Sequence, residues 1–119
     1  MIVLDASVVL KWYFHEEAGS DQASAILERH QGGDETIAVP DLLPYEVGNV
    51  LNSDKAFTDA AASEALLNLF SLHLLCTAFS PEDHTATLET ARRYRLSVYD
   101  ASYVHLAQKL KCDFITSIS

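Results

Sequence analysis

The chain has 119 residues, of which 49% are hydrophobic, and 17 acidic against 8 basic residues give a formal net charge of −9. That length fits one domain with its own core, and the hydrophobic fraction excludes wholesale disorder. The apolar runs are far shorter than the roughly 20 residues of a membrane span, and Asp5 interrupts the apolar start too early for a signal peptide. The charge excludes a broad basic surface, so any contact with nucleic acid must be local or assisted by cations.

Strand-like runs alternate with helical patterns along the chain, which predicts a parallel sheet with helices packed on it. Five elements are predicted in the first half: a buried strand over 2–4, a helix from near Ser7 that carries Trp12 and Tyr13, a helix over 21–30, a strand over 36–39 that Pro40 ends, and a helix over 42–51. Apolar residues at helical spacing predict the buried face of the last helix: Leu43, Val47, Val50 and Leu51.

The second half is predicted to continue the alternation. In order, it contains a helix that Thr58 caps and that buries Phe70, a strand over 75–79, a helix from Ser80 to near Tyr94, a helix with Asp100 at its start, and a strand over 114–116. Ser80 is followed by a proline and two acids, which is typical of a helix start.

The cysteines and the basic residues suggest no site of their own. Cys76 and Cys112 lack the spacing of a zinc site and are expected to be buried free thiols in a reducing cytosol, with a disulfide left open. His105 and Lys109 share a helix face and are expected at the surface. The basic cluster over 92–95 suits a helix C-terminus, although contact with a phosphate backbone stays open.

Three acids fall where an open parallel sheet binds its ligands, at the carboxyl ends of the strands. Asp5 directly follows the first strand, Glu46 lies in the helix after the second, and Asp100 opens the last helix. Thr116 and Ser117 close the last strand at the same edge. The three carboxylates are therefore expected to converge.

Carboxylates that converge repel one another, so the cluster must take up a proton or bind a cation. Hard oxygen ligands with open positions suit Mg²⁺ or Mn²⁺. Each acid alone could instead cap a helix or lie in solvent. The apolar sequence around Asp5 and Glu46 favours a shared site.

Four segments resemble the PIN-domain ribonucleases, in particular the VapC-type toxins of toxin–antitoxin pairs. They are residues 4–13 (LDASVVLKWY), 39–51 (VPDLLPYEVGNVL), 95–107 (RLSVYDASYVHLA) and 114–116 (FIT). The segments occur in the family's order and span the chain. The resemblance implies a single PIN-like domain over 1–119, short at its C-terminus, with a three-layer α/β/α fold around a central parallel sheet.

The resemblance also implies a function. The family cleaves single-stranded regions of RNA with Mg²⁺, or Mn²⁺ as a substitute, held by acids that match Asp5, Glu46 and Asp100. Ser7 matches a supporting hydroxyl, and Thr116 and Ser117 lie beside the same site. Asn49, one helical turn after Glu46, could hydrogen-bond that carboxylate or lie in solvent. The implied setting is cytoplasmic, without a membrane, as a homodimer held by a cognate antitoxin.

The sequence departs from the family at one position. Ile118 stands where the family usually has a fourth acid, and Ser117 or Ser119 could only supply neutral ligands. This favours an alternative, a catalytically inactive PIN-like module that acts through protein–protein contacts. A third reading, a Mg²⁺-dependent phosphotransfer domain, is weaker because Ser7 stands where one such class has its second acid.

Overall fold

A four-stranded parallel sheet forms the centre of the fold in a computed structural model that describes residues 1–116. Its strands are β1 (Ile2–Leu4), β2 (Ile37–Pro40), β3 (Leu75–Thr77) and β4 (Asp113–Ile115). The strand order is β3-β2-β1-β4, with Val3 opposite Ala38 on one side and Phe114 on the other. The two central strands, β1 and β2, are buried along their whole length, as expected for apolar strands covered on both faces.

Helices connect the parallel strands. They are α1 (Ala6–Leu10), α2 (Ser20–Gln31), α3 (Leu43–Ser53), α4 (Asp59–Ser71), α5 (Pro81–Tyr94) and α6 (Val98–Leu110). The helix α6 packs on β1, β2 and β4 and is itself packed against α5. This arrangement confirms the predicted α/β/α fold with a central parallel sheet. None of these helices has the length and apolar character needed to cross a bilayer.

The core lies between the sheet and the helices. Its fully buried large side chains include Leu4, Val9, Ile37, Val39, Leu43, Val47, Tyr103 and Leu106. The indole of Trp12 also enters the core, where its N–H donates a 2.9 Å hydrogen bond to the carbonyl of Ala23. The predicted inward face of α3 is confirmed at Leu43, Val47 and Leu51, whereas Val50, which was also predicted there, is only partly buried.

Side-chain caps fix where several helices begin. The Thr58 hydroxyl accepts from the Ala61 amide at the start of α4, as predicted. Ser80 and Asp83 form a reciprocal capping box at the start of α5. Ser97 caps α6 by accepting from the amide of Asp100, which places that acid in the first turn.

Some predicted boundaries were wrong. The helix α1 ends at Leu10, so Trp12 and Tyr13 lie in the following turn rather than in the helix. Pro40 was predicted to follow β2, but it is the last residue of that strand and lies opposite Thr77. It is tolerated there because the pairing of β2 with β1 stops at Ala38, and the next amide, that of Asp41, supplies the hydrogen bond to Thr77.

The ends of the outer strands also moved. The strand β3 stops at Thr77 instead of residue 79, because Ser80 and Pro81 commit the chain to α5. The strand β4 begins at Asp113, one residue earlier than predicted, and Thr116 lies just beyond it.

Two predictions of burial were wrong on the same side of the molecule. Phe70 was expected to face inward, but its side chain is 59% exposed, because α4 turns Leu69 toward the core. Cys76 was expected to be buried but is exposed, because β3 is an edge strand. Both Cys76 and Cys112 are free thiols.

Candidate active site

A cavity of about 300 Å³ opens beyond the carboxyl ends of β1 and β2. Asp5, Glu46 and Asp100, which are far apart in the sequence, all line it. Each comes from a different element: the residue after β1, the first turn of α3 and the first turn of α6. The parallel sheet therefore brings these three predicted site acids together.

Hydroxyl groups hold Asp5 from two sides. Asp5 is the N-cap of α1, and its Oδ1 accepts from the Val8 amide at 3.3 Å and from the Ser7 hydroxyl. Its Oδ2 accepts from the hydroxyl of Thr116. Thr116 reaches Asp5 because β4 pairs with β1 in register, with Ile115 opposite Leu4. The carboxylate is thus oriented by its own helix and by a strand 111 residues away.

Glu46 is held by Tyr103, a residue of α6 to which the sequence analysis assigns no role in the site. The Tyr103 hydroxyl donates a 2.6 Å hydrogen bond to Glu46 Oε1. Burial raises the pKa of the Glu46 carboxyl; the hydrogen bond from Tyr103 opposes that shift, and the negative charges of Asp100 and Asp5 add to it. Asp5 and Asp100 are therefore close enough to act electrostatically on Glu46.

Tyr103 is the functional residue that sequence reasoning missed. Its ring is buried, and burial together with the bond to Glu46 raises its pKa well above the usual range, so the phenol remains a donor. A signal was present in the sequence, because Tyr103 follows Asp100 by three positions and residues at that spacing share a helix face. Its apolar ring made the core the simpler interpretation.

The other predicted residues lie at or near the cavity with different roles. Ser7 and Thr116 contact Asp5 directly. Asn49 lines the cavity and is exposed, but within residues 1–116 the hydrogen-bond donor to Glu46 is Tyr103 rather than Asn49. Ser117, Ile118 and Ser119 lie outside the described residues.

The chemistry of the cavity suits a hard divalent cation. Across residues 1–116, none of the three carboxylates forms an ion pair with a lysine, arginine or histidine. Carboxylate oxygens are ligands that Mg²⁺ and Mn²⁺ accept. In the same part of the chain, however, no group of three or more His, Cys, Asp and Glu side chains is arranged to hold a metal ion. The donor set fits the ion, whereas the present spacing is not that of a closed three-carboxylate site.

The carboxylate of Asp83 lies outside the cavity and is paired with basic side chains of the protein. Asp83 accepts from the His105 ring at 2.8 Å, from the Ser80 amide at 3.0 Å and from the Lys109 ammonium at 3.0 Å. These partners hold the pKa of Asp83 well below its usual range. Lys109 is exposed, as predicted, whereas His105 is partly buried. Both side chains join α6 to the start of α5.

The comparisons with known proteins agree with this architecture. The model of the PIN-domain family matches residues 2–117, so the chain belongs to the PIN-domain family. That membership confirms the family expected from the four sequence segments. No protein with a curated description matches the chain closely enough to count as a relative.

Solved structures of other proteins share the fold. PAE2754 from Pyrobaculum aerophilum is 25% identical, with a TM-score of 0.73 over 98% of this chain and 74% of that one. VapC20 from Mycobacterium tuberculosis, described as a toxin that cleaves the sarcin–ricin loop, is 15% identical, with a TM-score of 0.75 over 100% and 91% of the two chains.

The third is VapBC2 from Rickettsia felis, solved with a DNA fragment from its promoter. It is 14% identical, with a TM-score of 0.67 over 99% of this chain and 88% of that one. At 14 and 15% identity, the likeness to the two Vap proteins shows a shared fold.

Proposed function

We propose that this PIN-domain chain is a metal-dependent endoribonuclease, the toxin of a type II toxin–antitoxin pair, that hydrolyses phosphodiester bonds in single-stranded RNA. The observation that carries the proposal is the meeting of Asp5, Glu46 and Asp100 in one cavity that no lysine, arginine or histidine of residues 1–116 lines. Membership of the PIN-domain family and the fold shared with VapC20 support it.

The chain's own residues orient the acids. Ser7 and Thr116 fix the Asp5 carboxylate, and Tyr103 fixes Glu46. Each carboxylate oxygen has two lone pairs, so Asp5 Oδ2 and Glu46 Oε1, which accept from one hydroxyl each, keep a lone pair for a cation. Asp5 Oδ1 already accepts from both Ser7 and Val8. Asp100 is held less tightly, in an exposed first turn where the helix N-terminus favours its negative charge.

Mg²⁺, with Mn²⁺ as a substitute, is the proposed cofactor, and Asp5, Glu46 and Asp100 would hold it. When bound, such an ion lowers the pKa of a coordinated water and neutralises charge on the phosphate oxygens. Mg²⁺ usually keeps several waters and binds proteins through one or two carboxylates. The open spacing of the acids is compatible with that partial coordination.

The proposed partners are an RNA substrate, a cognate antitoxin and a second copy of the chain, all in the cytoplasm. The VapBC2 structure supports an antitoxin partner. Exposed apolar side chains on α4, Leu67 and Phe70, support a protein contact on that face.

The test is a calorimetric Mn²⁺ titration of three proteins: the wild type, Asp100→Asn and Asp113→Asn. Asp113 is a matched control because it begins β4, at the opposite end of the sheet from the cavity. We expect binding in the micromolar to sub-millimolar range, lost in Asp100→Asn and kept in Asp113→Asn. Binding that is unchanged in Asp100→Asn would contradict the assignment of this acid.

An inactive module that acts through protein contacts is the second candidate. It is favoured by the lack, within the described part of the chain, of a group of three metal-binding side chains. It is also favoured by Ile118 at the family's usual fourth acid. It predicts no Mn²⁺ binding in the wild type and no metal-dependent cleavage of RNA.

A further inference from the structure

The acidic cavity is the middle of a longer groove. On one side it adjoins a cavity of about 340 Å³, with which it shares Glu46 and Asn49. On the other side it adjoins one of about 470 Å³, with which it shares Ser7, Leu10 and Val50. A ligand bound at the carboxylates can therefore extend along the surface in both directions, as a polymer would.

Two strongly exposed tyrosines line the first of these side cavities. Tyr45 is 82% exposed and Tyr99 is 63% exposed, whereas Tyr103 in the same region is almost fully buried. Their rings meet open space rather than the core. We call the cavity that they flank the tyrosine cleft.

The helices explain why the tyrosines flank the carboxylates. Tyr45 directly precedes Glu46 in the first turn of α3, and Tyr99 directly precedes Asp100 in the first turn of α6. Successive residues on a helix are rotated by about 100°. Because Glu46 and Asp100 face the acidic cavity, the tyrosine that precedes each of them lies at the edge of that cavity, in the tyrosine cleft. The same tyrosine–acid pair occurs on both sides of the cleft.

Basic side chains of the described residues do not supply phosphate neutralisation in the tyrosine cleft or the acidic cavity, so apart from the proposed cation the affinity needs another source. Neither the tyrosine cleft nor the acidic cavity is lined by a lysine or arginine of the described chain. The groove's other end includes Lys11, whose ammonium is bound to the Ala18 carbonyl at 2.6 Å and lies 3.4 Å from Glu17. A nucleic acid strand would have to be held by its bases, because aromatic rings can stack on any base.

We propose that Tyr45 and Tyr99 form a stacking site for unpaired bases that flank the phosphate at the carboxylates. The inference rests on the proposed function for its ligand, a single-stranded RNA. Continuity of the tyrosine cleft with the acidic cavity favours that ligand over a protein segment, since one strand can occupy both. The stacking site selects single-stranded RNA, whose bases are free, over paired RNA, whose bases are already stacked.

The test compares the binding of two fluorescent probes by anisotropy: a short oligoadenylate and an abasic strand of the same length. The proteins are the wild type, Tyr45→Ala, Tyr99→Ala, Tyr45→Phe and Tyr94→Ala. Tyr94 is the matched control because it is 53% exposed and lies at the end of α5, outside the cleft. A gel after each titration shows whether the probe is intact. Where the probe is cleaved, the KM values of the five proteins are compared instead of their affinities.

We expect each alanine variant in the cleft to bind oligoadenylate about 5- to 140-fold more weakly, which is the stacking energy of one base expressed as a ratio. Tyr45→Phe and Tyr94→Ala should bind like the wild type, and the abasic strand should bind weakly to all five. Affinity should fall less than about tenfold between 50 and 200 mM salt, against 10³- to 10⁵-fold for a protein with many phosphate contacts.

The outcomes separate this inference from the proposed function. Base-dependent binding lost in Tyr45→Ala or Tyr99→Ala, without any cleavage, supports the stacking site and contradicts the nuclease. Metal-dependent cleavage with unchanged KM in both alanine variants supports the nuclease and overturns the stacking site. Equal binding of the two probes, or variants that change only self-association in sedimentation, also overturns it and identifies the cleft as a protein interface.

Discussion

Asp83 and Asp5 both support the start of a helix, yet their surroundings are opposite in charge. Asp83 is bound by Lys109 and by His105. Asp5 is bound by two hydroxyls and an amide, and it shares its cavity with two further acids. The first carboxylate is satisfied within the chain and joins two helices. The carboxylate of Asp5 is held in one orientation, but no basic side chain of residues 1–116 neutralises its charge. A site that binds a cation needs both properties.

The largest expected effect is on the proposed RNA cleavage, and it distinguishes the two aspartates. Asp5→Asn should lower RNA cleavage by more than about 100-fold, because even residues that only support a metal ligand are worth 10- to 100-fold. Asp83→Asn should leave cleavage unchanged at a temperature where it is folded. Initial rates on one RNA substrate check both, and equal losses in the two variants would contradict the comparison.

The next effect is on stability and its pH dependence. The pKa of Asp83 is lowered in the folded protein, so the unfolded state binds more protons as the pH falls. The charge of Asp83 therefore contributes its full stabilisation of the folded protein above the pKa that this group has in the unfolded state, near 3.8. That stabilisation is lost as the pH falls from there toward the lowered pKa of the folded state. We expect Asp83→Asn to be less stable than the wild type at pH 7 and the difference to shrink below about pH 4.

Urea denaturation across that pH range, followed by circular dichroism, measures the difference. Asp113→Asn is the control for the loss of one charge. A gap between wild type and Asp83→Asn that stays constant with pH would show that Asp83 acts through packing rather than through its charge.

A smaller effect of opposite sign is expected at Glu46. Its pKa is raised by burial and by the neighbouring acids, so the charged form is disfavoured in the folded protein. Glu46→Gln, assayed at pH 7 in EDTA, should therefore be more stable than the wild type, by less than about 1 kcal/mol because the side chain is partly open to solvent. Tyr103 can still donate to the amide oxygen. A destabilised variant would mean that the charge of Glu46 is already compensated.

A last pair of variants separates the effect of a helix cap from the effect of charge. Thr58→Ala removes the cap of α4, which has no ionic partner, and should lower the unfolding free energy by about 1 kcal/mol at any pH between 4 and 8. Ser80→Ala removes a cap that also bonds Asp83. Its cost should therefore exceed that of Thr58→Ala, and chemical denaturation measures both. Equal costs would show that the Ser80 hydroxyl contributes nothing to holding Asp83.

Local patterns in the sequence predicted the parts of the structure that depend on local chemistry. The caps at Thr58 and Ser80 and most of the buried face of α3 follow from local spacing. The convergence of Asp5, Glu46 and Asp100 follows from a general rule, that ligands bind at the carboxyl ends of parallel strands. Hydrogen bonds between particular distant residues were missed. The bond from Tyr103 to Glu46 spans 57 residues.

Exposure at the sheet edge was also missed. Phe70 and Cys76 look buried by hydrophobicity alone, but the strand order leaves β3 at an edge and leaves one side of α4 uncovered. The sequence around Phe70 and Cys76 does not indicate which strand will be at the edge of the sheet. Burial at such positions is decided by topology, and hydropathy cannot report it.

The contact between Thr116 and Asp5 has a consequence for synthesis of the protein. All three carboxylates have been translated by residue 100, whereas the strand that seats Thr116 against Asp5 comes later. A ribosome-bound chain that has reached α6 thus contains the acids without their final geometry. We expect nascent chains stalled before β4 to lack the RNA cleavage that we propose for the released 119-residue protein. Cleavage by the shorter nascent chains would contradict this.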